Sequence, residues 1–445
     1  MTAGKSFHGG IHPPYNKQAT AALPIVDAAP PKTVVIPLHQ HTGAPCEPLV
    51  KVGDEVKLGQ KIGESQSFVS APVHASVSGK VTAIEARPHP GSGLVQAVVI
   101  ESDGLDTPDP GMVPAGDVAT LSPDEIRKII RAAGIVGLGG AAFPTAVKVS
   151  PPPGKAIDTV VLNGAECEPY LTADHRVMLE DPAAVIYGLR ALMQACGAPR
   201  GMIAVEDNKP DAIEALHKSL SAADGIQIVV LHTKYPQGSE KQLVWACLER
   251  EVPSGGLPLD VGVVVSNVGT AAAVAQAIQS GKPLYERVVT VTGSAVAKPQ
   301  NLRVRIGTSF ADLIEQCGGL TDAGKVINGG PMMGIAQSSL DVPVIKGTSG
   351  ILCLKRGEII REQPTACLKC GRCVENCPMH LMPLWIAAYA ERALHDEAER
   401  LNAMDCVECG CCSYICPARR PLVQAIRLSK YEIAARRRQA QAKKS

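Results

Sequence analysis

The sequence predicts a multidomain α/β protein with small β units before and after the α/β core and a helical, cysteine-rich domain near its carboxyl end. Three observations carry this expectation. Short apolar strands alternate with amphipathic helices from about residue 159 to 280, β-branched runs broken by glycine turns fill 33–101, and the pattern C-x2-C-x2-C-x3-C-P is written twice between Cys367 and Pro417. At 445 residues the chain exceeds a single core, and about 150 residues per domain gives three or four units.

Taken in order, Phe7 to Tyr15 reads FHGGIHPPY, a glycine and proline segment that must be held by what it packs against, or else is a surface arm. Residues 1–32 are assigned to this arm. From 33 to 103, strands at 33–38, 55–58, 73–77, 80–84 and 95–101 alternate with turns such as Gly53-Asp54 and Gly79, giving a small all-β unit. Its wording resembles the biotinyl or lipoyl carrier fold, a barrel-sandwich hybrid, but Glu64 to Pro72 contains no carrier lysine, so a docking or support role is expected.

A linker at 104–116 leads to Ser122-Pro123-Asp124-Glu125, an N-cap, a first-position proline and a capping-box glutamate, so a helix is expected up to about Gly134. Next comes a glycine loop with Gly137, Gly139 and Gly140, then Phe143 and Lys148. Glycines there let a backbone approach a bulky ligand and aim amides at phosphate, with Lys148 as countercharge. The loop follows a helix rather than a strand, so it is no Rossmann fingerprint, and a plain packing role stays open.

The α/β domain spans 117–283, and its ligand is expected beyond the carboxyl ends of the strands. Two polar turns stand there, one with Asn163, Glu166 and Glu168 and one with Asn267. Ribose contact and a solvated turn are equally open for the two glutamates. A further unit at 284–345 has a strand at 288–293, a helix near 309–317 and a closing loop, NGGPMMG.

Eight of the fifteen cysteines make the paired runs. Three thiolates spaced by two residues let one loop wrap a cubane [4Fe–4S] cluster, and the fourth cysteine of each run serves the other cluster. This groups Cys367, Cys370 and Cys373 with Cys416, and Cys406, Cys409 and Cys412 with Cys377. A zinc pair would leave the third cysteine of each run without a metal bond, and disulfides do not suit a long chain without a secretory signal. A single helix over 381–401 is expected to link the loops inside a domain at 360–430, followed by a basic tail at 431–445. The other seven cysteines, Cys46, Cys167, Cys196, Cys247, Cys317, Cys353 and Cys411, are assigned no chemistry.

Composition narrows the function. Lys plus Arg (44) and Asp plus Glu (43) nearly cancel and aromatics make up 3%, so neither a field nor stacking platforms favour nucleic acid. No apolar run approaches the roughly 20 residues that cross a bilayer, and Met1 to Gly10 has no apolar leader core. The basic tail, with Arg436-Arg437-Arg438 and Lys443-Lys444, could meet anionic lipid or be a solvated charge run.

Together, FHGGIHPP, GLGGAAFPTAVKV, NGAECEPYLTADHR, YPQGSEKQL, NGGPMMG and the paired cysteine runs resemble the RnfC family of the Rnf ion-translocating electron-transport complexes, from Phe7 to about Arg427. The central part is similar to the flavoprotein subunit of respiratory complex I, followed by an SLBB-like β-grasp unit and a two-cluster ferredoxin domain. The resemblance implies non-covalent FMN and NAD(H) held by Gly137, Gly139, Gly140, Phe143, Lys148, Asn163, Glu166, Glu168 and Asn267, and two [4Fe–4S] clusters on the eight cysteines. Ala142 stands where the complex I loop usually has glycine, and Cys167 separates the two glutamates.

It further implies an electron-input subunit without a catalytic side chain, peripheral on the cytoplasmic side of the cell inner membrane, with integral-membrane and iron–sulfur subunits, NADH and ferredoxin as partners. A soluble flavin enzyme subunit and a non-catalytic iron–sulfur scaffold remain the alternatives.

Overall fold

The computed structural model describes residues 4–221, 225–359 and 363–442. The barrel-sandwich has a four-stranded antiparallel sheet, in the order Thr33–Pro37, Gly93–Ser102, Gly79–His89, Glu55–Val56, and a smaller sheet of Glu47–Pro48, Lys61–Glu64 and Val73–His74. Alternation turns Val34, Ile36, Val98 and Ile100 inward with Ile62, Val73 and Val81, all fully buried.

The capping box expected at Ser122 forms: Glu125 Oε2 accepts the Ser122 amide at 2.7 Å and Ser122 Oγ accepts the Glu125 amide at 3.3 Å, starting the helix Pro123–Ala132. The α/β sheet is all parallel, in the order Ile226–Leu231, Arg200–Glu206, Thr159–Gly164, Val263–Asn267. Its strands are apolar on both faces because both are covered. Val160 and Leu162 enter one core with the helices Pro182–Cys196 and Val268–Ser280, whereas Val161 enters another with Glu240–Leu248. The two helices of the first core cross so closely that a Cβ on Gly188 would stand 1.9 Å from the Ala271 carbonyl oxygen. A helix not expected from the sequence, Ala173–Glu180, follows the acidic turn.

The β-grasp unit differs from expectation at both ends. Its mixed sheet runs Ile25–Asp27, Gln300–Arg305, Glu286–Thr292, Gly350–Lys355, Ala323–Asn328, Ile335–Ala336, so strand Gly350–Lys355 lies beyond the expected limit at 345. The other edge strand comes from the amino-terminal arm, Ile25–Asp27 pairing in parallel with Asn301–Arg303. The arm is also built in further upstream, where Lys5 bridges Leu231, Ile11 bridges Tyr235, and Phe7 and Ile11 are buried.

In the cysteine-rich domain the expected single linking helix is two, Pro383–Ala390 and His395–Arg400. The chain turns between them at Ala393, φ 57°, where the Leu394 amide returns to the Tyr389 carbonyl. The expected tail boundary at 430/431 falls inside the helix Leu422–Ala442. Arg436 pairs with Asp396, and Arg437 Nε donates to Glu399 at 2.9 Å, so these two arginines face the helix His395–Arg400; Lys443 and Lys444 lie outside the described residues.

Candidate functional site

The α/β strand order, in chain sequence third, second, first, fourth, reverses direction between Thr159–Gly164 and Val263–Asn267. A crevice opens beyond the carboxyl ends at such a reversal. Asn163 and Asn267 occupy those two ends and are register partners. Asn267 Oδ1 accepts the Gly269 amide at 2.8 Å and the Thr270 amide at 3.3 Å, capping the 13-residue helix Val268–Ser280 and placing its amino terminus at the crevice. Asn163 Nδ2 donates to the Gly238 carbonyl at 2.7 Å, drawing the loop 235–238 to the same place.

The glycine loop is a turn closed by Gly137 N to Phe143 O at 2.9 Å and pinned to the capped helix by Leu138 N to Thr270 Oγ1 at 2.9 Å. Gly139 and Gly140 are exposed at its tip. A Cβ on Gly139 would stand 3.5 Å from the Asn267 side chain and fill the space between loop and strand end, while one on Gly140 would meet nothing. Ala142 has φ 49°, the left-handed region glycine takes most readily. Lys148 is engaged by protein groups: its ammonium pairs with Glu240 and donates to the Val265 carbonyl at 2.8 Å.

The acidic turn is neither solvated nor open. Glu166 accepts the Asp174 amide at 2.7 Å and the His175 amide at 3.3 Å, starting the helix Ala173–Glu180. Its φ of 45° is held from below, where Lys17 Nζ donates to the Glu166 carbonyl and the buried Lys209 Nζ to the Ala165 carbonyl, each at 2.7 Å. Glu168 accepts the amides of Met332 at 3.1 Å and Met333 at 2.8 Å, tying the turn to the NGGPMMG loop. Burial pushes its carboxyl up to about 7.

Sequence reasoning missed Asp174, Arg287 and Tyr235. Asp174 Oδ2 accepts from Asn267 Nδ2 at 2.6 Å, and burial, with Glu166 close by, pushes its carboxyl up to about 7. Arg287, buried in the β-grasp unit, donates to the Leu138 carbonyl of the glycine loop at 3.3 Å. These roles arise from contacts across more than 90 residues. Only the charged end of the motif NGAECEPYLTADHR, with Asp174 and Arg176, hinted at the first.

The two cysteine runs share one backbone course. Lys369 and Glu408 (φ 54° and 58°) precede the thiols Cys370 and Cys409, and Gly371 and Gly410 (φ 80° and 81°) follow them. The amides of Lys369 and Glu408 each donate to the first sulfur of their run at 3.4 Å, and the Leu381 amide does so to Cys377 Sγ at 3.4 Å. Cys367, Cys370, Cys373 and Cys416 line one cavity, with the crossing fixed by Thr365 N to Ala418 O at 3.0 Å. Burial pushes the Cys412 thiol up, and Cys406, Cys409 and Cys377 beside it push it the same way. Among the described residues no three His, Cys, Asp or Glu side chains converge on a single ion; four thiolates around a cavity suit a cluster with a metal at each corner. The donor set and the amide-to-sulfur bonds fit cubane clusters.

Four known families match successive parts of the chain. Residues 5–105 match the RnfC barrel sandwich hybrid domain, 130–276 the Nuo51 FMN-binding domain, 288–336 the SLBB domain and 359–417 the 4Fe-4S dicluster domain. The chain is 56% identical, over 97% of its length and 98% of the relative's, to the C-subunit of the Na(+)-translocating ferredoxin:NAD(+) oxidoreductase complex of Acetobacterium woodii. The chain belongs to the RnfC family. Other members include the C-subunit of the proton-translocating ferredoxin:NAD(+) oxidoreductase complex of Clostridium ljungdahlii (50% identical, 96% of this chain, 94% of that one) and that of the ion-translocating oxidoreductase complex of Rhodobacter capsulatus (41%, 97% and 84%).

Among solved structures, an NAD+-reducing [NiFe]-hydrogenase in the air-oxidized state aligns at TM-score 0.48 and 20% identity, covering 64% of this chain and 55% of that one. The barrel-sandwich hybrid, complex I flavoprotein-like domain, β-grasp unit and dicluster domain follow one another along this chain. No helix among the described residues is long and apolar enough to cross a membrane.

Proposed function

We propose that this chain is the electron-input subunit of an ion-translocating oxidoreductase complex, passing electrons between NAD(H), FMN and two [4Fe–4S] clusters. The observation that carries it is the presence, in one chain aligned nearly end to end with RnfC relatives, of a strand-order reversal with Asn163 and Asn267 at its two strand ends and of a cavity that gathers Cys416 of one run with Cys367, Cys370 and Cys373 of the other.

Gly137, Gly139, Gly140 and Phe143 would line the flavin and nicotinamide site, and the helix start capped by Asn267 would receive the phosphate. Lys148 serves the site as a brace, tying the short helix after the loop to Glu240 and to the Val265 carbonyl near the strand end. Glu166 and Glu168 serve the site by shaping the turn, because both carboxylates hold protein amides. The eight cysteines bind the clusters in the crossed grouping. When bound, FMN would take the two electrons of one hydride and release them one at a time. No side chain of the chain acts as a general acid or base, so its task is orientation.

In this reading the protein is peripheral on the cytoplasmic side of the inner membrane, held by integral-membrane and iron–sulfur subunits, with NADH and ferredoxin at the ends of the route. Anaerobic protein from cells expressing the whole complex should release yellow flavin into acid and fractionate with membranes. Flavin-free protein, or protein wholly in the soluble fraction, would contradict the corresponding half.

A further inference from the structure

The two cysteine sets are not equivalent in their surroundings. In the set of Cys377, Cys406, Cys409 and Cys412 three thiols are buried and Cys406 is half-buried, whereas in the other Cys367 and Cys370 are exposed, Cys416 is half-buried and Cys373 alone is buried, with Leu368 between the exposed pair 66% exposed. Contacts with the rest of the protein fall on the first of these sets. The Gly10 amide donates to the Asn376 carbonyl at 3.0 Å, Gln242 Nε2 donates to the Pro378 carbonyl at 2.9 Å, and a Cβ on Gly410 would stand 3.0 Å from the Met332 carbonyl oxygen.

At the centre of this junction is Tyr235, 1% exposed, whose hydroxyl donates to the Cys409 carbonyl at 2.8 Å. Three residues on, Gly238 takes the hydrogen bond from Asn163 and donates its own amide to Cys167 Sγ at 3.3 Å. One short loop therefore has one end on the crevice and the other on the second cysteine run. Ile11, Cys167, Tyr235, Cys409 and Cys411 close around it as one buried apolar cluster.

We propose that Cys377, Cys406, Cys409 and Cys412 hold the first one-electron acceptor, that Tyr235 is the positioning residue fixing it against the flavin crevice, and that Cys367, Cys370, Cys373 and Cys416 hold the outward-facing exit cluster. This rests on the function proposed above and adds an order to it. Electron tunnelling falls steeply with distance, so the buried, bonded set takes the electron first and the exposed set hands it to a protein partner. Each NADH gives NAD+, one proton and two electrons, and the two electrons reduce the two clusters by one each. A hydrogen bond beside a ligand also tunes a cluster's potential, so the Tyr235 hydroxyl acts on the inner cluster alone.

The test follows the electron paramagnetic resonance of the reduced clusters in anaerobic full-length protein, with NADH and separately with dithionite. In Cys406→Ser the outward cluster should be reduced by dithionite but not by NADH, whereas in Cys370→Ser the inner cluster should be reduced by both. Tyr235→Phe keeps all eight thiolates. It should slow NADH-driven reduction of both clusters about tenfold and shift the potential of the inner cluster only.

Outward-cluster reduction by NADH in Cys406→Ser at the wild-type rate would overturn the order. A Tyr235→Phe protein with wild-type rates and potentials, or with only the outward potential shifted, would overturn the role of Tyr235 even if the cysteine variants failed to fold. Wild-type protein whose clusters respond to dithionite but never to NADH would instead bring down the underlying function, and the order with it.

Discussion

Asn163 and Asn267 stand opposite each other in register at the ends of neighbouring parallel strands, and each uses its side chain to organise a different wall of the same crevice. Asn163 holds the loop carrying Gly238, and Asn267 caps the helix whose first turn pins the glycine loop. Replacing Asn267 by alanine should cost about 1 kcal/mol through the lost cap and lower the flavin retained per chain. Thermal unfolding and acid-released flavin check the two effects; a variant that unfolds earlier yet keeps full flavin would separate the cap from the site.

The crossed ligand grouping predicts about eight irons and eight sulfides per chain. Cys373→Ala removes a thiolate from the cavity shared with Cys416 and should cost one cluster, while NADH still bleaches the flavin because hydride transfer ends there. Onward transfer should fail. Zinc in the purified protein, or both clusters and full throughput in Cys373→Ala, would defeat the grouping.

The position of Asp174 gives a pH dependence. An unfolded chain releases this proton near pH 4, but the folded protein holds it to about 7 because the carboxyl is buried beside Glu166, with Asn267, Arg287 and Lys17 also facing it. The folded state binds more protons across that window, so this group lowers stability as pH rises from about 4 to 7. Asp174→Asn should remove that slope. The thermal midpoint of the wild type should then fall relative to the variant between pH 5 and 7, and a constant difference would reject the assignment.

Arg436 and Arg437 are turned toward Asp396 and Glu399, yet 43% and 57% of their side chains stay exposed. Pairs of that kind contribute less than about 1 kcal/mol. Replacing both arginines by alanine should therefore barely change stability and should leave membrane recovery of the complex intact. Loss of membrane recovery would mean that this helix, rather than partner subunits, is the anchor.

Local rules made much of this legible in the sequence. Ser122 to Glu125 announced a helix start, glycine-punctuated runs announced the barrel, and alternating strands and helices announced the parallel sheet, because each depends on neighbours in the chain. The dicluster domain was legible because a cluster dictates the spacing of the cysteines that would hold it. What was not legible depends on distant partners. The strand at Ile25–Asp27 exists only because Asn301–Arg303 offers an edge, and the helix 381–401 breaks where Ala393 turns back. Glu166 and Glu168 look like ligand carboxylates until Asp174, Met332 and Met333 take them up. Tyr235 opens the motif YPQGSEKQL, but nothing in that stretch points to its partner Cys409, 174 residues away.

In the proposed function one chain accepts a hydride beside Asn163 and Asn267 and delivers single electrons to its cysteine-bound clusters. The most direct measurement is the ultraviolet-visible spectrum of anaerobically purified protein before and after NADH. The expected spectrum is a flavin band over broad iron–sulfur absorbance, with both bleached by NADH. A spectrum without flavin, or one that dithionite bleaches and NADH leaves untouched, would contradict it.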